Sequence, residues 1–470
     1  MSHSDREQRL QTTSKEGCPP RIGMEFRKQA EAHSSCPAGP GRKAGPNTNA
    51  AGLLERILSE ENLNRAYKRV LRNKGSHGVD GMPVTELRAY LSEHGAQLKA
   101  QILDGTYRPQ PVRRVDIPKP GGGQRSLGIP TVVDRVIQQA IAQQLGRIFE
   151  PTFSEHSFGF RPGRSTHMAL LQAREIINDG YTVVVDMDLE KFFDRVNHDI
   201  LMHLVAREVK DPRVLKLIRR YLNAGVMEHG IRVLTDEGVP QGGPLSPLLS
   251  NVMLTVLDRE LERRGHRFCR YADDCNIYVR SRKAGYRVME SITRFLEETL
   301  RLKVNADKSA VDSPTRRKFL GYSFYRSRNG YQFRVHPKSI ERLKRNIREV
   351  TNRNRSMNFE DRLALLTRKV RGWINHFRLA DMKRILQDLD GWVRRRLRAC
   401  IWKTWKRIRT RYMSLRKLGI PEHKAWEYAN TRKGYWRISG SPFLHHAIST
   451  KRLERRGYVS MSTLYAKARG

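Results

Sequence analysis

Tyr271-Ala272-Asp273-Asp274 sets two adjacent carboxylates between two apolar runs, Phe268-Cys269 before and Ile277-Tyr278-Val279 after. Each run has the length and apolar character of a short strand, so the acids are expected at a hairpin turn. A turn can bring both carboxylates to one spot, and hard divalent ions such as Mg²⁺ need such oxygen clusters. An acidic turn also makes an ordinary solvated loop, so the rest of the chain has to decide between the two.

A second acidic strand lies upstream, Val183-Val184-Val185-Asp186-Met187-Asp188. Acids at i and i+2 share one face of a strand. Ionised acids at the end of an apolar strand are costly unless paired or bound to metal, which favours a metal site. Asp188, nearer the strand end, joins Asp273 and Asp274 as a third carboxylate. Three such groups could hold two Mg²⁺ ions roughly 4 Å apart, to activate a 3′-hydroxyl and stabilise a leaving pyrophosphate. Further along, Gly238-Val239-Pro240-Gln241-Gly242-Gly243-Pro244 combines glycines that allow close backbone approach with a following helix N-terminus that favours an anion. Lys119 and Arg125 face each other across the loop 118–123, placed like a flexible clamp for a triphosphate.

Composition points the same way. The chain has 470 residues and a formal net charge of +41, from 89 Lys and Arg against 48 Asp and Glu. Such an excess calls for a polyanionic partner. Residues 331–470 carry 36 of the basic and 10 of the acidic residues, and all six Trp. Basic residues interleaved with aromatics suit phosphate contact plus base stacking; the Trp are expected mostly in a helical core and the Arg mostly facing nucleic acid. An anionic membrane fits less well, because the charge is spread over a whole domain and not along one amphipathic helix. No apolar run is long enough to span a bilayer, and the N-terminus lacks a signal-peptide apolar region. Five scattered cysteines with no C-x-x-C pair argue against a disulfide framework or a zinc knuckle, and for a reducing compartment.

Residues 1–50 are rich in Ser, Gly, Pro and charge and are expected to be a disordered leader. An amphipathic helix is expected from Leu53 through Val70, strands over 112–117 and 126–129, a helix over 134–149, and a buried strand over 182–187. Helices follow over 197–208, 213–222, 245–262 and 284–301, with the Tyr271 hairpin between the last two. A short strand pair is expected within 311–333. From Pro337 to about Arg411 the pattern is almost wholly helical.

Taken in order, these elements resemble the reverse transcriptases, most closely those encoded by bacterial group II introns. The resemblance is carried by Lys119 through Arg125 with Ile129-Pro130-Thr131-Val132-Val133-Asp134-Arg135, by Ser157-Phe158-Gly159-Phe160-Arg161-Pro162-Gly163-Arg164, by Asp188 to His198, and by the Pro240-Gln241-Gly242-Gly243 loop. It continues through Tyr271-Ala272-Asp273-Asp274, Asn305-Ala306-Asp307-Lys308-Ser309 and Lys318-Phe319-Leu320-Gly321-Tyr322. It implies an α+β right-hand polymerase, with fingers and an antiparallel palm sheet over 51–325. An all-helical thumb or maturase domain would follow over 326–411, and a small basic DNA-binding tail over 412–470. Arg371-Gly372-Trp373 and Gly391-Trp392 look like the maturase region, and Gly434-Tyr435-Trp436 like the tail.

The resemblance also implies roles. Asp188, Asp273 and Asp274 would be the metal-binding catalytic acids, with Asp188 registered by an aromatic gate five positions on, Phe193; Asp186 would leave Lys191 there, which cannot serve as a gate. Phe193 would exclude a 2′-hydroxyl, Gln241 would touch the incoming deoxynucleotide, and Lys119 and Arg125 would hold its phosphates. Arg161 and Arg164 would steady template or the fingers loop, and Lys308 would support the palm near the acids. His376, His445 and His446 read best as polar thumb and tail residues. The function implied is an RNA-directed DNA polymerase and intron maturase. It would bind its group II intron RNA, assist splicing and copy the RNA into cDNA at a DNA target. Two Mg²⁺ ions would serve, with Mn²⁺ as a substitute. Partners would be the intron RNA, a DNA target with its primer, and deoxynucleotides. No membrane is implied, a homodimer is allowed, and the place is the bacterial cytoplasm, on the nucleoid when DNA is bound. No H-N-H-like module follows the tail, so second-strand cleavage is not expected. The rival readings are a host-adopted enzyme of repair, phage defence or CRISPR spacer acquisition, and an RNA-binding splicing factor without polymerase activity.

Overall fold

The computed structural model describes residues 52–118, 124–228, 231–233, 237–239 and 242–469. The leader expected over 1–50, Lys119 and Gln241 lie outside the described residues; of Arg125 only the backbone, in a strand, is described. The chain divides into two compact units, one of residues up to Phe153 with Lys191–Thr255, the other of Ser154–Glu190 with Val256–Gly470.

In the first unit, the helix Val132–Phe149 is buried on most of its surface, with Asp134, Arg135, Gln138, Gln139 and Gln144 buried beside its apolar residues. Thr131 caps it, its Oγ accepting from the Asp134 nitrogen at 3.1 Å. The buried Asp134 carboxylate accepts from the Tyr107 hydroxyl at 2.6 Å and the Gln110 nitrogen at 3.2 Å, so burial raises its pKa but leaves it well solvated by protein donors. Strands Val112–Pro118 and Gln124–Ile129 pair antiparallel with Ile117 opposite Arg125, and Val112–Pro118 also pairs in parallel with the short strand Val226–Glu228. The single helix expected from Leu53 is broken into Leu53–Ile57 and Glu60–Asn73. The cause is local: Ser59 is extended and its side chain accepts from the Asn62 nitrogen, restarting the helix. The helix Leu87–Leu103 went unread because its apolar residues are spread around the helix with no clear period, and only Leu87, Leu91 and Ile102 are buried.

In the second unit, four antiparallel strands form one sheet in the order Arg267–Tyr271, Asp274–Val279, Val183–Met187, Ala310–Asp312. Register sets Asp186 opposite Asn276 and Met187 opposite Cys275, so the two acidic segments meet at one end of the sheet. The helix Arg282–Thr299 packs on it through Gly285, where a Cβ would stand 2.5 Å from Val311 Cγ1; only glycine allows that approach. A separate hairpin, Tyr322–Ser327 with Gly330–Val335, leads to three long helices, Pro337–Val350, Phe359–Phe377 and Lys383–Thr404.

Five shorter helices beyond Lys417 continue the helical pattern to Arg469. Asp390 anchors this tail. Its carboxylate accepts from the Tyr458 hydroxyl, the Met461 nitrogen and the Ser462 nitrogen and hydroxyl at 2.7–3.0 Å. Trp402 is buried and Trp373, Trp392 and Trp405 pack half-buried against the same core, as expected, whereas Trp426 and Trp436 keep 45% and 40% of their surface exposed. Among the described residues no helix is long and apolar enough to cross a membrane.

Candidate active site

The expected hairpin is present, and its turn is held from three directions. Ala272 adopts φ +59°, the left-handed region that a residue with a Cβ enters at a cost of roughly 1 kcal/mol. Arg270, fully buried, donates to both oxygens of the equally buried Asp258 at 2.6 and 2.5 Å and to the Ala272 carbonyl at 2.9 Å. The segment 156–158 runs beside the first strand, with the Phe158 nitrogen donating to the Arg270 carbonyl and the Arg270 nitrogen to the His156 carbonyl, each at 2.9 Å. That brings Gly159 onto the turn, where a Cβ would overlap the Ala272 nitrogen and lie 3.0 Å from its Cα.

Asp188 is fixed by the segment 303–309. Its nitrogen donates to Ser309 Oγ at 3.0 Å, its carbonyl accepts from the Asn305 nitrogen at 2.8 Å, and its carboxylate accepts from Lys308 Nζ at 3.0 Å. Lys308 therefore stands where the sequence reading put it, beside the acids. Asp186 has a different partner: Arg317 donates to its Oδ2 through two nitrogens, at 2.8 and 2.6 Å. Burial pushes the Asp186 pKa up in spite of that guanidinium.

Asp186, Asp188 and Asp274 line one cleft of about 900 Å³. Lys308, Lys318, Lys338 and Arg342 also line it, together with Asp307 and the apolar Phe319, Leu320 and Trp373. Although Asp274 keeps an exposed carboxylate, crowding by protein atoms, and then the charges of Asp273, Asp186 and Asp188, push its pKa up to about 6. Among the described residues no three acidic, His or Cys side chains form a metal cage on their own. Mg²⁺ usually takes one or two carboxylates and completes its shell with water and substrate phosphates. An oxygen-only set of mutually repelling acids in a cleft fits that mode of binding.

The roof of the cleft is the loop 319–321, where Leu320 and Gly321 have φ +51° and +92°. His376 holds it: its Nε2 bonds the Leu320 carbonyl at 3.1 Å, while its own carbonyl accepts from His167 Nε2 at 2.9 Å and from the Tyr322 hydroxyl. Gly321 packs under Phe377, whose Cζ would stand 3.0 Å from a Cβ there.

Phe193 and the glycine loop belong to the first unit. Phe193 retains 8% of its surface and packs edge-on against Phe192, ring centroids 5.1 Å apart. Its carbonyl accepts from the Val239 nitrogen at 2.6 Å, which ties Val239 to the Phe193 segment. Gly242 has φ +135°, and a Cβ on it would stand 2.7 Å from the Gly128 carbonyl oxygen. The close approach that glycine permits here is to the strand Gln124–Ile129.

Arg161 turns inward and braces its own loop. It is buried and donates to the Ser154 and Ser157 carbonyls, fixing its own loop against the acidic turn. Arg164 pairs with Glu155 and stacks 5.7 Å from the centroid of Phe158. Gly159, Arg270, Asp258 and the positioning part of His376 were missed from sequence. Two had a signal: Arg270 interrupts a buried strand, and Asp258 sits beside Leu254, Leu257 and Leu261 on the apolar stripe of the helix Ser246–Arg263. A charge in each of two buried faces asks for a partner.

Comparison with known proteins gives two family matches. A sequence profile described as reverse transcriptase (RNA-dependent DNA polymerase) matches residues 117–324, and one described as group II intron, maturase-specific domain matches residues 340–419. Protein YkfC of Escherichia coli (strain K12) is 35% identical over 327 residues, covering 61% of this chain and 86% of the relative. Group II intron-encoded protein LtrA of Lactococcus lactis subsp. cremoris is 29% identical over 363 residues, covering 59% of this chain and 60% of the relative. Among solved structures, a partial Cas6-RT-Cas1--Cas2 complex aligns at 23% identity over 57% of this chain and 47% of that one, with a TM-score of 0.35, too low to carry an argument.

Proposed function

The chain belongs to the reverse transcriptases that carry a group II intron maturase domain, and on that premise we propose that it is an RNA-directed DNA polymerase and maturase acting on its own intron RNA. It binds that RNA, assists its splicing and copies it into cDNA from a primer at a DNA target. Fingers and palm take residues 51–325, the thumb or maturase domain 326–411, and the DNA-binding tail 412–470. The observation that carries the reading is the shared cleft of Asp188 and Asp274, walled by cations suited to a nucleic-acid backbone.

Reverse transcriptase domains use divalent metal ions; we assign Mg²⁺, held by Asp188, Asp273 and Asp274. Bound there, such ions make a primer 3′-hydroxyl a better nucleophile and offset charge on the departing pyrophosphate. The protein's own part is aim and charge balance. Arg270 and Gly159 fix the turn that bears Asp273 and Asp274, and Asn305 and Ser309 fix the Asp188 backbone. Lys308 offsets the Asp188 charge until a cation or nucleotide arrives. Phe193 closes the space a 2′-hydroxyl would need, and Lys119, Arg125 and Gln241 receive the deoxynucleotide.

Primer extension on poly(rA)/oligo(dT) with Mg²⁺ tests the proposal. A chain with Asp273→Ala and Asp274→Ala is expected to lose cDNA synthesis and retain RNA binding. Polymerisation that survives this change overturns the metal-site assignment.

A further inference from the structure

Phe193 stands on little backbone of its own. It sits in a single 3₁₀ turn, Phe192–Asp194. The Asp194 nitrogen closes that turn on the Lys191 carbonyl at 2.8 Å, and the Arg195 nitrogen on the Phe192 carbonyl at 3.1 Å. Lys191, just before it, has φ +47°, a left-handed conformation that costs a residue with a Cβ. Short 3₁₀ turns have poorer hydrogen-bond geometry than an α-helix, so the aim of the Phe193 ring has to be set from outside.

The outside support is the segment Glu237–Val239. It runs antiparallel to the residues after the turn, with Asn197 bridged to Glu237. The Gly238 nitrogen donates to the Val196 carbonyl at 2.9 Å, and the Val239 nitrogen to the Phe193 carbonyl at 2.6 Å. Gly238 has φ +101°, and a Cβ on it would stand 3.2 Å from the carbonyl oxygens of both Phe193 and Asp194. The two backbones therefore touch. Val196 and Val239 are both buried.

One side chain fastens that segment. His198 keeps only 4% of its surface, and its Nε2 bonds the Gly238 carbonyl at 2.7 Å. A carbonyl only accepts, so Nε2 carries the proton. His198 is the first residue of the helix His198–Glu208, which Leu201, Leu204 and Val205 anchor in the core. The helix start does not need the imidazole. Asn197 already caps it, its Oδ1 accepting from the Asp199 and Ile200 nitrogens at 3.0 Å. The polar atom of His198 is spent on the glycine loop instead. A packed helix thus reaches the Phe193 backbone in two steps, from His198 to Gly238 and from Val239 to Phe193, and the chain between Phe193 and His198 is closed into a ring.

We propose that His198 is a positioning residue for sugar selection. Through the Gly238 carbonyl it fixes the segment that holds the Phe193 backbone, and so sets how closely the Phe193 ring approaches the 2′ position of an incoming nucleotide. The inference rests on the reading of Phe193 as the gate. It extends that gate from one ring to a hydrogen-bonded circuit.

The full-length protein is given poly(rA)/oligo(dT) and Mg²⁺ with either dTTP or ribothymidine triphosphate, which differ only in the 2′-hydroxyl. The readout is the ratio of the two kcat/KM values, which does not depend on how much of the chain is active. His198→Leu keeps the bulk and removes the donor, and His198→Asn keeps an amide that falls short of the carbonyl. Each is expected to lower the ratio about tenfold, from a displacement smaller than the ~1 Å that can cost roughly 10²-fold. His198→Gln, whose amide nitrogen donates at a reach similar to Nε2, is expected to restore most of it. Phe193→Val is the reference. Adding His198→Leu to it should change the ratio no further, because two groups acting through one contact are not additive. An unchanged ratio in either His198→Leu or His198→Asn overturns the proposal. So does an additive double variant, or a His198→Gln protein no better than His198→Leu. A ratio unchanged in Phe193→Val defeats the gate reading instead, and the inference falls with it. Failure of the unsubstituted protein to extend the primer with dTTP defeats the polymerase reading itself, so the three failures are distinct.

Discussion

Gly159 and Ala272 meet backbone to backbone, with no room for a side chain on Gly159. The contact places a glycine of one loop directly under the turn that carries Asp273 and Asp274. Gly159→Ala should therefore displace the turn, and misplacement by about 1 Å can cost on the order of 10²-fold in rate. Steady-state primer extension gives the comparison, with circular dichroism to check that the chain still folds. A Gly159→Ala protein of normal kcat would remove the aiming role.

Arg270 and Asp258 are fully buried, and removing one partner of such a pair costs about 3–5 kcal/mol. Asp258→Asn should lower the thermal midpoint strongly. Asp258→Leu with Arg270→Met should recover stability, since an apolar pair of similar volume is tolerated, yet leave the Ala272 carbonyl without its donor and the polymerase slow. Full recovery of rate in the double variant would show that the pair only stabilises.

Asp186 is occupied by two bonds from Arg317, whereas Asp188 has one from Lys308. Asp188→Asn is expected to reduce kcat by at least about 10³-fold and Asp186→Asn by no more than about tenfold, as for a ligand and its neighbour. The reverse order in single-turnover kinetics would move the metal-binding role to Asp186.

Divalent cations should stabilise the folded chain through the acidic cleft. At ten times its dissociation constant a single bound ion adds roughly 1.4 kcal/mol by mass action, visible as a higher thermal midpoint with Mg²⁺ than with EDTA. Asp188→Asn with Asp274→Asn should abolish that shift, and should itself be more stable in EDTA, because the crowded charges are gone. An undiminished Mg²⁺ shift in the double variant would put the cation elsewhere.

His376 joins the cleft roof to the helix Phe359–Phe377. Burial, then the nearby His167 and Arg342, hold its pKa below 6.5, outweighing the Leu320 carbonyl that favours the charged ring. Folding thus prefers the neutral ring. The stability it contributes is complete above the unfolded value of 6.5 and is lost as pH falls through the lower folded value. Thermal midpoints recorded downward from pH 7 should fall less steeply for His376→Gln than for the unsubstituted chain. Parallel curves would mean that another group sets the acid limb.

Much of the architecture was legible because period and turn chemistry agree in it: the run Val183-Val184-Val185 could only be a buried strand, and the apolar flanks of Tyr271 fixed the hairpin. The preference for Asp188 over Asp186 rests on the family resemblance, through the spacing to Phe193, and the paired variants above test it. What escaped reading depends on contacts distant in sequence. Gly159 means nothing until the chain brings it under residue 272. Arg161 was open to a role at template or at the fingers loop, and only the fold turns it inward onto carbonyls of its own loop. Ser59 could have been read, since a Ser followed by two Glu is a helix start. Trp426 and Trp436 are the exceptions to a largely internal set, because each sits on an exposed helix face.

The left-handed Ala272 has a cost that runs in one direction. A glycine there would relieve the backbone and make the fold more tolerant of heat, yet it would also let the turn sample several conformations. The two acids would then be correctly placed for only part of the time. Backbone ease and a single turn conformation thus pull this position in opposite directions, and the alanine, braced by Arg270 and Gly159, holds the turn to one.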